Sequence, residues 1–315
     1  MRAAWAEAVE RLLPGGPRAG ALRAMIICRP LAAARSVLFF VFDEDDADPS
    51  WTLRGHRDPA VAEREALVLS ELRRRGCRFQ PEIVGSGRCE DLHALLLRFC
   101  AGRHADAALW RQGDVVDQVA SALAEMQKAL SGWAESAFAA GAADAGDVVE
   151  LCDNVGRACE RLGRDTAFAG ALAAAHTALA RTATALPQHG DCSTSNLLWD
   201  YGNLRILDWE HFGCCFEPFL DIWTFALSVC AEAGDPDATS LYGPGVNAEM
   251  AERAVRCYAA RIGLPAEIGR DVFPLIVSRV VQLNAALGRT IVVQRMCRVL
   301  QMYLGDSANF MRGLR

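Results

Sequence analysis

Lysine is nearly missing from this chain of 315 residues. Lys128 stands alone among 33 basic residues, so every other permanent cation is an arginine. Acidic residues number 39, and the net charge of −6 argues against a nucleic-acid partner, which would want a basic face. No apolar run approaches the roughly 20 residues of a membrane-spanning helix. The first residues carry Glu7 and Glu10 among helically spaced apolar positions and lack the apolar centre of a signal peptide. No Cys-x-x-Cys pair occurs among the twelve cysteines. Cys89 with His93, and His189 with Cys192, belong to no four-ligand zinc pattern. Disulfide scaffolds are normally short secreted chains. The cysteines therefore read as small hydrophobes of a reduced, cytoplasmic protein. No internal repeat is present.

What is present divides in two. The length exceeds the usual single domain, and hydrophobic residues make up 52% of the chain, enough for two cores. Apolar runs at residues 24–28, 36–42 and 51–54 are short and bounded by turn residues, so each predicts a strand. The acidic stretch 43–50 reads as a solvated hairpin tip. Asp58-Pro59 then opens a helix that runs through Leu72, with aspartate as cap and proline in the first turn. Further strands are predicted near 82–84 and 94–99. From residue 105 the pattern is helical, with an apolar stripe at Val115, Val116, Val119, Ala120, Leu123 and Met126. Small and polar residues at 134–137 and 141–146 predict a break. Helices are expected at 148–162, 167–179, 220–233, 247–262, 266–288 and 290–303.

The chemistry-bearing residues cluster near the middle. His189-Gly190-Asp191 is followed five residues later by Asn196, and Asp208-Trp209-Glu210 comes twelve residues after that. Two apolar runs, 197–199 and 204–207, flank the turn signal Asp200-Tyr201-Gly202-Asn203, which predicts a β-hairpin. Asn196 would enter it and Asp208 would leave it, so their side chains can converge on one ion. Phosphoryl transfer needs one carboxylate to orient and deprotonate a hydroxyl. It needs a second carboxylate and an amide oxygen to hold magnesium against the phosphates. Asp191 fits the first role, and Asn196 with Asp208 the second. Glu210, two residues beyond Asp208, would share its face in an extended segment and join the metal side.

In these motifs the chain resembles the aminoglycoside phosphotransferase and choline kinase-like family, whose pattern is His-Gly-Asp-x-x-x-x-Asn, a hairpin, then Asp-x-Glu. The Asp-Pro-x-x-Asp stretch that commonly follows there stands here as Glu217-Pro218-Phe219-Leu220-Asp221. The resemblance covers most of the chain but is sharp only over residues 186–227. It implies an α+β, protein-kinase-like fold with a small antiparallel-sheet N-terminal lobe at 1–100. A larger helical lobe at 101–315 would follow. It also implies magnesium, ATP or GTP as co-substrate bound between lobes, and a small hydroxylated acceptor that is sugar-like, an amino alcohol or antibiotic-like. Asp221 would anchor the catalytic loop. Backbone groups around Phe99 and Cys100 would meet the base. Cationic acceptors in that family face carboxylates, for which Glu210, Glu217, Asp235 and Asp237 are available.

Two features depart from the family. Its third strand carries a phosphate-binding lysine steadied by a glutamate on the next helix; here those positions are Arg54 and Glu65. Arginine keeps the charge but has a bulkier fork. The alternative is a surface Arg54–Glu65 ion pair. The loop between the first two strands, 29–35, has no glycine and offers Arg29 and Arg35 instead. These departures support a competing reading, a non-catalytic nucleotide- or ligand-binding protein on the same fold. A protein kinase is disfavoured, because His-Gly-Asp and Asp-Trp-Glu replace that class's His-Arg-Asp and Asp-Phe-Gly.

Overall fold

A computed structural model of the chain describes residues 9, 11–13, 22–27, 36–43, 46–138, 148–182, 185–200, 202–311 and 314, with residues 22–27 described by backbone alone. The loop at 29–35, with Arg29 and Arg35, lies outside the described residues, as do Glu44 and Asp45 of the acidic tip and the break at 141–146. The chain divides into two compact units. One comprises Met1–Arg103 and Arg205–Phe212, the other His104–Leu204 and Gly213–Arg315.

The first unit is built on five antiparallel strands, β1 (Leu22–Ile27), β2 (Ser36–Asp43), β3 (Trp51–His56), β4 (Ile83–Cys89) and β5 (Leu92–Arg98), in the order β1-β2-β3-β5-β4. Strand alternation sends Val37, Phe39 and Val41 of β2 inward. They join Leu53, Cys89, Leu92, Ala94 and Leu96 in a core that Val9 and Leu13 close. Each fully buried valine, leucine or phenylalanine among them contributes roughly 1.5–3 kcal/mol. Helix α1 (Pro59–Arg74) starts where Asp58 accepts a hydrogen bond from Ala60 N at 2.9 Å, with proline in the first turn. Its buried stripe runs Ala62, Glu65, Val68, Leu69, Leu72. That spacing is one helical face, and a carboxylate stands in the middle of it.

In the second unit the longer helices are α2 (Gly113–Phe138), α3 (Val148–Ala158), α4 (Thr166–Ala180), α5 (Leu220–Glu232), α6 (Val246–Ile262), α7 (Phe273–Ala286) and α8 (Thr290–Asp306). An aromatic core holds them: Trp223 and Phe273 meet edge to face at 4.7 Å, Phe273 and Phe310 at 4.4 Å, and Trp223 Nε1 donates to Gly269 O at 2.8 Å. Strands β6 (Leu197–Asp200) and β7 (Asn203–Ile206) form the expected hairpin. Three helix expectations need correction. Helix α2 continues through the small residues 134–137, because Ala134 is fully buried and Phe138 packs edge-on against Trp133 at 5.3 Å. The helix predicted at 148–162 ends at Ala158 and restarts at Glu160, since Cys159 takes an extended conformation. The one predicted at 266–288 divides at Val272, where Pro274 occupies a first helical turn instead of an interior position.

No described helix is long and apolar enough to cross a membrane. The described cysteines are free thiols.

Candidate active site

Strand period places Arg54 and His56 on one face of β3, and α1 lays Glu65 against that face. A carboxylate in a buried stripe needs partners. Glu65 has two: Arg54 Nη1 donates to Oε1 at 2.9 Å, and His56 Nε2 lies 2.9 Å from Oε2. The other arm of the guanidinium, Nη2, donates to Asp208 Oδ1 at 2.5 Å and stands 3.6 Å from Glu210 Oε2. Arg54 therefore is no surface ion pair; its side chain is 12% exposed and serves three carboxylates. Burial opposes its charge, but Glu65, Asp208 and Glu210 outweigh that and raise its pKa. Burial likewise opposes ionisation of Glu65, yet Arg54 and His56 hold its pKa below the usual value.

Asp208 reaches Arg54 because the segment 205–212 is fastened to the first unit. Ile206 N donates to Phe79 O at 2.6 Å, Trp209 stacks on Phe79 at 6.5 Å, and Trp209 Nε1 bonds Ile206 O at 2.9 Å. Asp208 itself takes a left-handed conformation, φ 63° and ψ 66°, and a short 3-10 turn, Trp209–His211, follows. The segment is thus not extended, as the shared-face reading of Glu210 assumed. The turn still brings Glu210 towards the same cluster, 3.9 Å from His56 Nδ1 and 3.2 Å from His211 Nε2.

The second unit holds the other residues. Asp221, at the start of α5, is fully buried and accepts from His189 N at 2.7 Å, Gly190 N at 2.9 Å and Gln127 Nε2 at 3.0 Å. Gln127 in turn bonds Gln188 at 3.1 Å and accepts from the Tyr258 hydroxyl. Burial raises the Asp221 pKa, against the pull of His189 and these donors. The loop that carries Asp191 thus hangs by two amides from one carboxylate. Removing it in Asp221→Ala is expected to cost about 3–5 kcal/mol, because the buried His189 amide and the half-buried Gly190 amide both lose their charged acceptor. Thermal unfolding checks this; a Tm within about 2 °C of the parent would show that other contacts hold the loop.

Beyond the loop, Asn196 Nδ2 donates to Asp191 O at 2.8 Å, and Thr194 N to Ser228 Oγ at 3.0 Å. Asp191 Oδ2 receives Arg289 Nη1 at 2.9 Å. One unit thus carries Asp191 and Asn196 on the loop ahead of the hairpin, and the other carries Arg54 linked to Glu65 and Asp208.

A family model for APH, the phosphotransferase enzyme family, matches residues 28–254. The chain belongs to this phosphotransferase family. Among solved structures it is similar to choline kinase from Cryptosporidium parvum Iowa II, at 12% identity and TM-score 0.67, covering 100% of this chain and 98% of that one. It is also similar to a macrolide 2'-phosphotransferase from Brachybacterium faecium, at 17% identity and TM-score 0.60, covering 95% and 98%. A third is an ADP-bound aminoglycoside phosphotransferase, at 11% identity and TM-score 0.54, covering 90% and 94%. At such identities the likeness is one of fold: the α+β, kinase-like architecture that the motifs implied. No curated protein sequence matches the chain.

In this phosphotransferase the carboxylates set aside for a cationic acceptor are engaged. Glu217 is buried with Arg279 at 2.6 Å, Asp237 pairs with Arg298 at 2.8 Å, and Asp235 caps Thr239 N at 2.9 Å and Ser240 N at 2.8 Å. Cys215, near the Asp-Trp-Glu motif, is buried, which raises its thiol pKa well above normal and leaves it inert. Around the expected base-binding segment, Phe99 N donates to Ser50 O at 3.1 Å, and the Phe99 ring meets Phe40 at 5.7 Å. Phe99 is thus tied to the sheet by both its amide and its ring.

The donor chemistry suits magnesium. Asn196 uses its amide nitrogen on the loop, so the oxygen is the group it offers a hard cation. Asp208, in the other unit, carries a carboxylate, an oxygen donor of the same hard kind. Among the described residues no group of three or more His, Cys, Asp or Glu is placed to hold a metal.

Proposed function

We propose that the enzyme transfers the γ-phosphoryl group of a nucleoside triphosphate, ATP or GTP, to a hydroxyl of a small acceptor. The acceptor would be sugar-like, an amino alcohol or antibiotic-like. The observation that carries this reading is Arg54. One arm is fixed by Glu65 and the other is aimed at Asp208. This is a preorganised cation beside the carboxylate that would hold the metal, which is what a phosphate-binding lysine supplies elsewhere. The ADP in a fold relative supports the nucleotide.

In this reading Asp191 orients the acceptor hydroxyl and takes its proton as the oxygen attacks the γ-phosphorus. The bond to the β–γ bridging oxygen breaks and a nucleoside diphosphate leaves. Asn196 and Asp208 would hold magnesium, which would supply neutralisation of phosphate charge. Glu210 supports the metal side from its place beside Arg54. The Phe99 carbonyl and the Cys100 backbone groups would meet the base, since the Phe99 amide is held by Ser50 O. Most of the rate comes from placing these groups beforehand.

Arg54→Ala tests the reading. It should weaken nucleotide binding at least about tenfold, the worth of a charge-assisted hydrogen bond. Arg54→Lys should keep most of the activity. Calorimetry with magnesium–ATP and magnesium–GTP gives the affinity, and nucleotide consumption with hydroxylated metabolites gives turnover. Equal binding and kinetics for Arg54→Ala and the parent would assign the phosphate clamp to another group.

A further inference from the structure

The partner of Asp191 carries consequences for the acceptor. Arg289 precedes α8, and its position is set by a tight turn: Gly288 is left-handed at φ 70°, and Arg289 N donates to Asn284 O at 2.9 Å. From there Nη1 reaches Asp191 Oδ2 at 2.9 Å and Asn284 Oδ1 at 3.4 Å. The side chains are 36% and 19% exposed, so an incoming molecule can reach both. A cationic group beside the reacting hydroxyl would meet this guanidinium at close range. Glu217, Asp235 and Asp237, which might offset that repulsion, have partners of their own, and Glu232 accepts from the Thr194 hydroxyl.

We propose that Arg289 makes this enzyme selective for acceptors carrying an anionic group, a carboxylate or a phosphate, beside the hydroxyl that is phosphorylated. This rests on the assignment of Asp191 as the residue that takes the hydroxyl. The incoming anion accepts from the guanidinium fork in place of Asp191, and the released carboxylate turns to the hydroxyl. The fork suits carboxylate and phosphate oxygens, whereas an ammonium group gains nothing there and is repelled. Within the proposed acceptor classes this favours sugar acids, sugar phosphates and hydroxy amino acids over simple amino alcohols.

The test uses matched probes: gluconate with gluconamide, serine with serinamide, and glucose 6-phosphate with glucose, alongside ethanolamine and choline. Calorimetry on Asp191→Asn, which loosens the hold on Arg289, should show the anionic member of at least one pair binding about tenfold tighter than to the parent. Adding Arg289→Gln should remove that gain, and the neutral members should show neither effect. Gain with glucose 6-phosphate alone identifies a phosphate as the recognised group; gain with gluconate or serine identifies a carboxylate. Equal binding of every anion by Asp191→Asn and the double variant overturns the proposal, as does preferential turnover of ethanolamine or choline by the parent. A loss of turnover in Arg289→Gln that is uniform across all acceptors also overturns it, since it would place the arginine on the phosphoryl group. Arg289-dependent anion binding in a protein that binds no magnesium–nucleotide would instead sink the phosphotransfer reading and leave the anion site standing.

Discussion

Asp191→Asn is expected to abolish phosphoryl transfer while leaving nucleotide affinity within about threefold of the parent. General-base assistance and orientation together are worth about 10²–10⁴ in rate, or roughly 3–5 kcal/mol of barrier. The substitution is gentle on the structure. The loop is hung from Asp221 through the amides of His189 and Gly190, and Asn196 binds the Asp191 carbonyl, none of which involves the Asp191 carboxylate. An asparagine oxygen can still accept from Arg289. Turnover and magnesium–nucleotide binding measured on one preparation decide the matter. Near-native turnover would remove Asp191 from the role of base.

Much of this site was legible in the sequence because its parts are local. His189 to Asp208 spans a loop and a hairpin, each with its own residue signals, and Glu65 falls where a strand and its following helix must meet. Glu65 also stands out in the sequence as a carboxylate inside an apolar helical stripe. His56 was missed, although it lies two residues from Arg54 and strand alternation puts both on one face. Arg289 had no such signal. It lies 98 residues from Asp191, and only the packing of α7 and α8 brings them together. The same holds for Gln127 and Tyr258, which reach the loop around Gln188 from two long helices. The misplaced helix ends have a related cause: residues 134–137 look like a loop by composition, but burial of Ala134 overrides propensity. The turn at Asp208 was hidden because a left-handed aspartate carries no sequence mark, and it changed how Glu210 reaches the cluster without removing it.

Removing the charge of Asp208 should be nearly as damaging as removing that of Asp191, but at a different step. Asp208→Ala is a blunt instrument. It deletes the acceptor for Arg54 Nη2 and puts a Cβ-bearing residue with no polar side chain at φ 63°, where aspartate and asparagine are better tolerated. A stability loss of about 1–2 kcal/mol would follow from the backbone alone. Asp208→Asn separates the two effects. It keeps the turn and the hydrogen bond from Arg54, and replaces only the anionic oxygen that magnesium would take. The expected result is a Tm within about 3 °C of the parent, with a loss of about 10²-fold or more in magnesium-dependent nucleotide affinity or kcat/KM. Asn196→Ala should lose less, since the amide is a neutral ligand. Arg54, left with Glu65 and Glu210, would keep its charge, so residual metal-free nucleotide binding should persist in Asp208→Asn and vanish when Arg54→Ala is added. A titration of activity against magnesium at fixed nucleotide reads this directly. If Asp208→Asn shows the parent's magnesium dependence, the metal is held elsewhere, and the Arg54–Asp208 contact becomes a structural tie between β3 and the segment after β7.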